Sequence, residues 1–215
     1  MNHGSLDGFM GGFYKFGEYF ILLVYLNLLW ICFTILGGVI FGWAPSTTAV
    51  FSVLREKIMG KDPSVIKTFW GTYRQEFFRT NGLGLIILFV AYMLYVNIQF
   101  FQVETAWLFV AVRYLMIAIM IISGIMLIYI FPLIVHYETS LYRHIKNSLL
   151  MAIFKPIRTL FTIIACVVVS QLFFTFPVFI ILFGVSLFAL VIMWTTYYTF
   201  KMTEQKQEEL TSQEV

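Results

Sequence analysis

The chain has 215 residues, of which 60% are hydrophobic and only 12% charged, and its net charge is +3. Soluble domains run about 45–50% apolar and about 25% charged. A chain this poor in charge cannot cover a soluble surface, which excludes a soluble enzyme, a disordered chain and a secreted disulfide scaffold. The small positive balance also lacks the concentrated basic face that nucleic acid requires.

The expected class is therefore all-α: a polytopic membrane bundle of about five transmembrane helices, with amphipathic interfacial helices on the cytoplasmic side. A crossing needs about 20 apolar residues. Residues 19–41 carry no charge, and Asn27 is their only strongly polar side chain. Their uncharged length exceeds the roughly 7–15 residues of a signal peptide core, and no basic cluster precedes them, so retention rather than cleavage is expected. The glycines and aromatics before them, among them Phe9, Phe13, Tyr14 and Phe16, read as a short interfacial segment. Residues 82–101 form a second span and 114–135 a third, with Arg113 reaching to the interface beside Trp107. Residues 159–200 are again uncharged. One helix of that length would run about 63 Å, about twice the hydrocarbon thickness. Pro177 disfavours helix at Phe176, so the stretch divides into spans at 159–174 and 178–200.

Between these spans lie segments 43–81 and 136–158, with a tail at 201–215. They hold twelve of the fourteen cations, Lys15 and Arg113 being the others. Positive residues stay on the cytoplasmic side. Five spans with the N-terminus outside and the C-terminus in the cytoplasm place all twelve on one face. In the first segment Pro45 opens a helix over 45–59 that ends at Gly60. Ser64 then caps a second helix, in which Ile66, Phe69, Trp70, Tyr73 and Phe77 recur at helical spacing while Lys67, Arg74 and Arg79 lie away from them. This pattern predicts an amphipathic interfacial helix over 64–77. The second segment repeats the order of span, basic helix and span, and Phe78-Arg79-Thr80 matches Ile157-Arg158-Thr159, an arrangement that suggests an internal repeat.

Little chemistry is visible. Ionisable residues inside spans are functional candidates by default, and the span interiors have none. Asn27, Asn97, Gln99 and Gln171 read either as inter-helix partners or as the lining of a path. His136 and His144 read as solvated, without the spacing of a metal site. Cys32 and Cys166 lie inside apolar runs and read as small hydrophobes rather than a disulfide. Glu56, Glu76 and Glu138 each sit near cations and read as local ion pairs. No nucleophile elbow, P-loop or dinucleotide motif occurs, so neither catalysis nor a cofactor is expected.

The segments Phe41-Gly42-Trp43-Ala44-Pro45-Ser46-Thr47-Thr48-Ala49, Phe69-Trp70-Gly71-Thr72-Tyr73-Arg74-Gln75-Glu76-Phe77-Phe78-Arg79-Thr80-Asn81, Phe131-Pro132-Leu133 through Tyr137-Glu138, and Lys146-Asn147-Ser148-Leu149-Leu150 resemble, in order, the signatures of the bacterial YesL family. That family groups small polytopic plasma-membrane proteins of unknown function, commonly encoded beside ABC importers and oligosaccharide hydrolases. The resemblance implies an accessory or regulatory link to carbohydrate import and no catalytic residue. Pro45, Trp70, Tyr73, Glu76, Arg79, Asn81, Glu138, Arg143 and Lys146 become the candidate partner contacts. Glu138-Thr139-Ser140 leading to Pro156 is faintly similar to the ATPase-docking loop of importer permeases, with His144 where that loop has glycine. Two other readings stand beside the accessory one. A carrier or channel in its own right would have to form a homo-oligomer, and a structural protein of the envelope would use the 66–77 stripe on lipid.

Overall fold

The computed structural model describes the backbone over residues 3–100 and 107–213, and side chains over 11–12, 14–99 and 107–202. The described residues form seven helices: α1 (His3–Leu36), α2 (Trp43–Ile58), α3 (Val65–Phe100), α4 (Trp107–His136), α5 (Leu141–Phe154), α6 (Pro156–Thr175) and α7 (Val178–Gln213). No strand occurs among the described residues. Among the described residues five helices are long and apolar enough to cross a membrane, over Tyr14–Leu36, Val65–Gln99, Trp107–His136, Pro156–Thr175 and Val178–Met202.

Several boundaries differ from the sequence expectation. The first span stops at Leu36, because residues 37–42 form a tight turn with Gly38 and Val39 at φ 74° and 62°. The turn needs small residues. A Cβ on Gly37 would lie 2.8 Å from both the Gly42 nitrogen and the Tyr73 hydroxyl, and one on Gly42 would lie 2.7 Å from Thr34 Cα. The third span begins at Trp107, so Arg113 lies within α4, its guanidinium 5.5 Å from the centre of the Tyr114 ring. The fourth begins at Pro156, which suits the first helical position. The expected break at Phe176-Pro177 is present. The link around Glu104 lies outside the described residues.

The larger correction concerns segment 43–81. The expected interfacial helix over 64–77 is not separate from the second span; both belong to the 36-residue α3. Nor does its aromatic stripe face outward as a unit. Phe69 and Tyr73 are buried against Phe33 of α1, with ring centres 5.1 Å apart in each pair, while Ile66 and Trp70 remain exposed. The helix before it, α2, is the centre of the core. Ala44, Pro45, Ser46, Thr48, Ala49, Val50, Phe51, Val53 and Leu54 are all buried. At 1.5 Å per residue its 16 residues rise about 24 Å, most of a bilayer's hydrocarbon thickness.

Named pairs give the helix directions. Trp30 Nε1 donates to Thr47 Oγ1 at 3.0 Å, and Lys57 pairs with Glu18, so α2 runs back along α1. Thr68 donates to Glu56 and Thr72 to Ser52, and Gly84 stands against Ala44, so α3 reverses again. Asn27 meets Ile181 and Val185, whereas Tyr19 and Ile58 share a cavity with Leu190, Val191 and Trp194, so α1 and α7 are antiparallel. Thr162 bonds Thr195 and Phe173 packs on Phe188, which makes α6 antiparallel to α7.

Counting α2 as a buried return pass, the start of the first span and the end of the last lie at one end of the bundle. Five passes alone would put them at opposite ends, as the sequence reading had it. Lys15 therefore joins the other cations, and Arg113 alone among cations with described side chains lies toward the far end. The two basic helices also occupy different places, α2 at the core and α5 at the periphery, so the loose repeat does not carry into the packing.

A buried polar junction between α3 and α5

Candidate chemistry gathers where α3, the 137–140 linker and α5 meet. Glu76 and Arg79 are one turn apart on α3, and Arg79 Nη1 lies 3.4 Å from both Glu76 carboxylate oxygens. Arg79 Nη2 donates to the Thr139 carbonyl and lies 2.8 Å from His144 Nε2. Thr139 Oγ1 is 3.4 Å from the same nitrogen. Arginine is a donor only, so Nε2 accepts and the ring proton sits on Nδ1. That Nδ1 is buried with no protein partner. Burial, followed by the charge of Arg79, lowers the His144 pKa to about 4, and the Thr139 backbone opposes the shift. The imidazole is therefore neutral at ordinary pH. The carboxylate of Glu76 balances the guanidinium, and the guanidinium ties the linker and α5 to α3. The arrangement is a clamp.

The candidate contacts divide into three groups. Glu76 and Arg79 enter the clamp. Glu138, Arg143 and Lys146 are exposed on the linker and α5, and Trp70 is half-exposed, stacked at 14° on Tyr73. Pro45, Tyr73 and Asn81 are buried, which removes them from any docking surface as the protein stands. Tyr73 donates to the Phe33 carbonyl at 3.3 Å, and Asn81 Nδ2 is buried without a bond. The aromatic motif around Tyr73 is thus a core signature.

His144 was expected in solvent and is 1% exposed. Its spacing with Leu141, Ile145 and Ser148 marks one face of α5, and that face packs inward. His136 packs against Tyr137 and Phe200, and its Nδ1 accepts from Arg55 at 3.2 Å. Of the expected carboxylate pairs, Glu76 has Arg79, whereas Glu56 accepts from Thr68 at 3.3 Å.

Asn27 proves to be an inter-helix partner. Its Nδ2 donates to the Ile181 carbonyl at 2.7 Å, and its Oδ1 accepts from the Val185 N–H at 2.9 Å. Those two backbone groups are i−4 and i partners in the ladder of α7, so the amide bridges one rung. Asn97 donates to its own helix at Met93, and Gln171 is exposed. A cavity of about 610 Å³ beside Asn27 is lined mainly by Trp30, Ile31, Phe173, Phe174, Ile181 and Phe188, with Ser170 a second polar member.

Comparison with known proteins agrees with the motif reading. The family described as protein of unknown function, DUF624, matches residues 23–98, which include the 37–42 turn, α2 and nearly all of α3. The uncharacterized protein YesV of Bacillus subtilis is 37% identical over 89% of this chain and 93% of its own. The uncharacterized protein YteU of the same organism is 34% identical over 93% and 90%. The uncharacterized protein YesL, again of B. subtilis, is 29% identical over 92% and 94%. No solved structure matches the chain. Near-full-length similarity to three such relatives, with a helical multi-pass architecture, shows that the chain belongs to the YesL-like DUF624 family of proteins of unknown function.

Proposed function

We propose that this protein is a non-enzymatic membrane subunit that assembles with, or regulates, a carbohydrate ABC importer. The observation that carries the reading is how its polar groups are used. Inside the bundle several close on one another, as in Asn27 with α7, Thr162 with Thr195 and Tyr129 with Thr159. Groups left to meet a partner are the cations and aromatics at the charged end, Lys67, Trp70 and Arg74 among them. The positive-inside rule turns that end to the cytoplasm of the bacterial plasma membrane, where an importer presents its ATPase. Both termini then face the cytoplasm. The link to carbohydrate import rests on the family resemblance.

Deleting the gene should abolish growth on one oligosaccharide while growth on glucose continues. A tagged copy should retain permease subunits through mild detergent purification. Normal oligosaccharide uptake in the deletion strain would refute the proposal.

A further inference from the structure

Helix α5 joins the ends of two spans through connectors of four residues and one residue, so it cannot leave the membrane boundary. Its buried side is the clamp side, with His144 and Ser148 inward. Its other side carries Tyr142, Arg143, Lys146, Leu150, Ile153 and Phe154, all exposed. Phe154 is 72% exposed and Ile157, in the first turn of α6, 82%. Side chains of that size facing water would form an apolar patch that soluble surfaces avoid.

The charge on this surface has one sign. No acidic residue occurs between Glu138 and Glu204, while Arg143, Lys146, Lys155 and Arg158 fall in and just after α5. Beside the helix is a cavity of about 490 Å³. Its lining is mainly Leu133, Tyr137, Leu150, Met151 and Phe154, with Lys155 as its one cation. Apolar side chains around one lysine, without a carboxylate, beside the exposed Arg143 and Lys146, suit a molecule with acyl chains and a negative head.

We propose that α5, with Lys155 and Ile157, lies in the headgroup layer and binds anionic phospholipid. Ile153, Phe154 and Ile157 enter the acyl boundary, and Arg143, Lys146 and Lys155 hold phosphate groups. This surface differs from the 66–77 stripe expected from sequence, whose Phe69 and Tyr73 are committed to the core.

Two measurements on the full chain in nanodiscs test it. In a Cys32→Ser, Cys166→Ser background, Ile153→Cys carries a fluorophore that brominated phospholipid should quench. The unlabelled thiol should react slowly with a water-soluble maleimide. Fast labelling without quenching would place the face in water, open to a soluble partner, and overturn the proposal. In the second, phosphatidylglycerol should raise the thermal midpoint above that in phosphatidylcholine. The triple variant Arg143→Gln, Lys146→Gln, Lys155→Gln should lose that difference, whereas Lys67→Gln with Arg74→Gln should keep it. An undiminished lipid effect in the triple variant would equally overturn it.

Discussion

Arg79 Nη2 stands 2.8 Å from His144 Nε2, an obligate donor facing a buried ring that must accept. The pair sets a pH dependence. His144 titrates at about 4 in the folded protein and at about 6.5 when unfolded. As pH falls below 6.5 the unfolded chain takes up a proton that the folded chain refuses, so stability declines down to about pH 4 and then levels off. His144→Gln keeps an acceptor toward Arg79 and removes the titration. Between pH 7 and pH 5 the wild type should lose about 1–2 kcal/mol more than this variant, read from thermal midpoints in detergent.

Asn27 should contribute modestly despite its two bonds to α7. Without it, the Ile181 carbonyl and Val185 N–H can pair with each other along the helix, so no backbone group is orphaned. Asn27→Leu should cost about 1 kcal/mol, near the upper range of inter-helix hydrogen bonds in membranes. Denaturation in mixed micelles would measure it, and a loss several times larger would assign Asn27 a role beyond packing.

The turn between α1 and α2 tolerates no side chain at its closest approach. Gly42→Ala sets a methyl group against the Thr34 backbone, which cannot move without shifting α1. The expected cost is about 3 kcal/mol, at the upper end of overpacking penalties, seen as lost yield of monodisperse protein. Gly71→Ala meets open space and should be neutral or slightly stabilising, since alanine is the better helix former.

Membrane orientation can be tested at three points. Reporters fused to the N-terminus and to the C-terminus should both show cytoplasmic activity. Ile40, exposed in the 37–42 turn, should become reactive from outside intact cells when replaced by cysteine. Labelling of Ile40→Cys only after cell lysis would restore the arrangement in which α2 is not a return pass.

Composition by itself determined the class, because the excess of apolar residues has no other place than lipid. The uncharged run broken at Pro177 likewise determined α6 and α7, since length and one proline decide that geometry locally. Sequence spacing also located Glu76 and Arg79, which lie one turn apart on any helix. What only the tertiary structure decided is where each helical face points. Phe69, Tyr73 and Pro45 are apolar or aromatic residues that fit an interface and a core equally well, and the packing of α2 between α1, α3, α4 and α7 selects the core. His144 is a polar residue whose burial depends on an arginine 65 positions away. The direction of α2 decided that the first span starts at the end of the bundle where the last one finishes, because a 16-residue helix with cations in its last turn reads as a loop element until its neighbours enclose it.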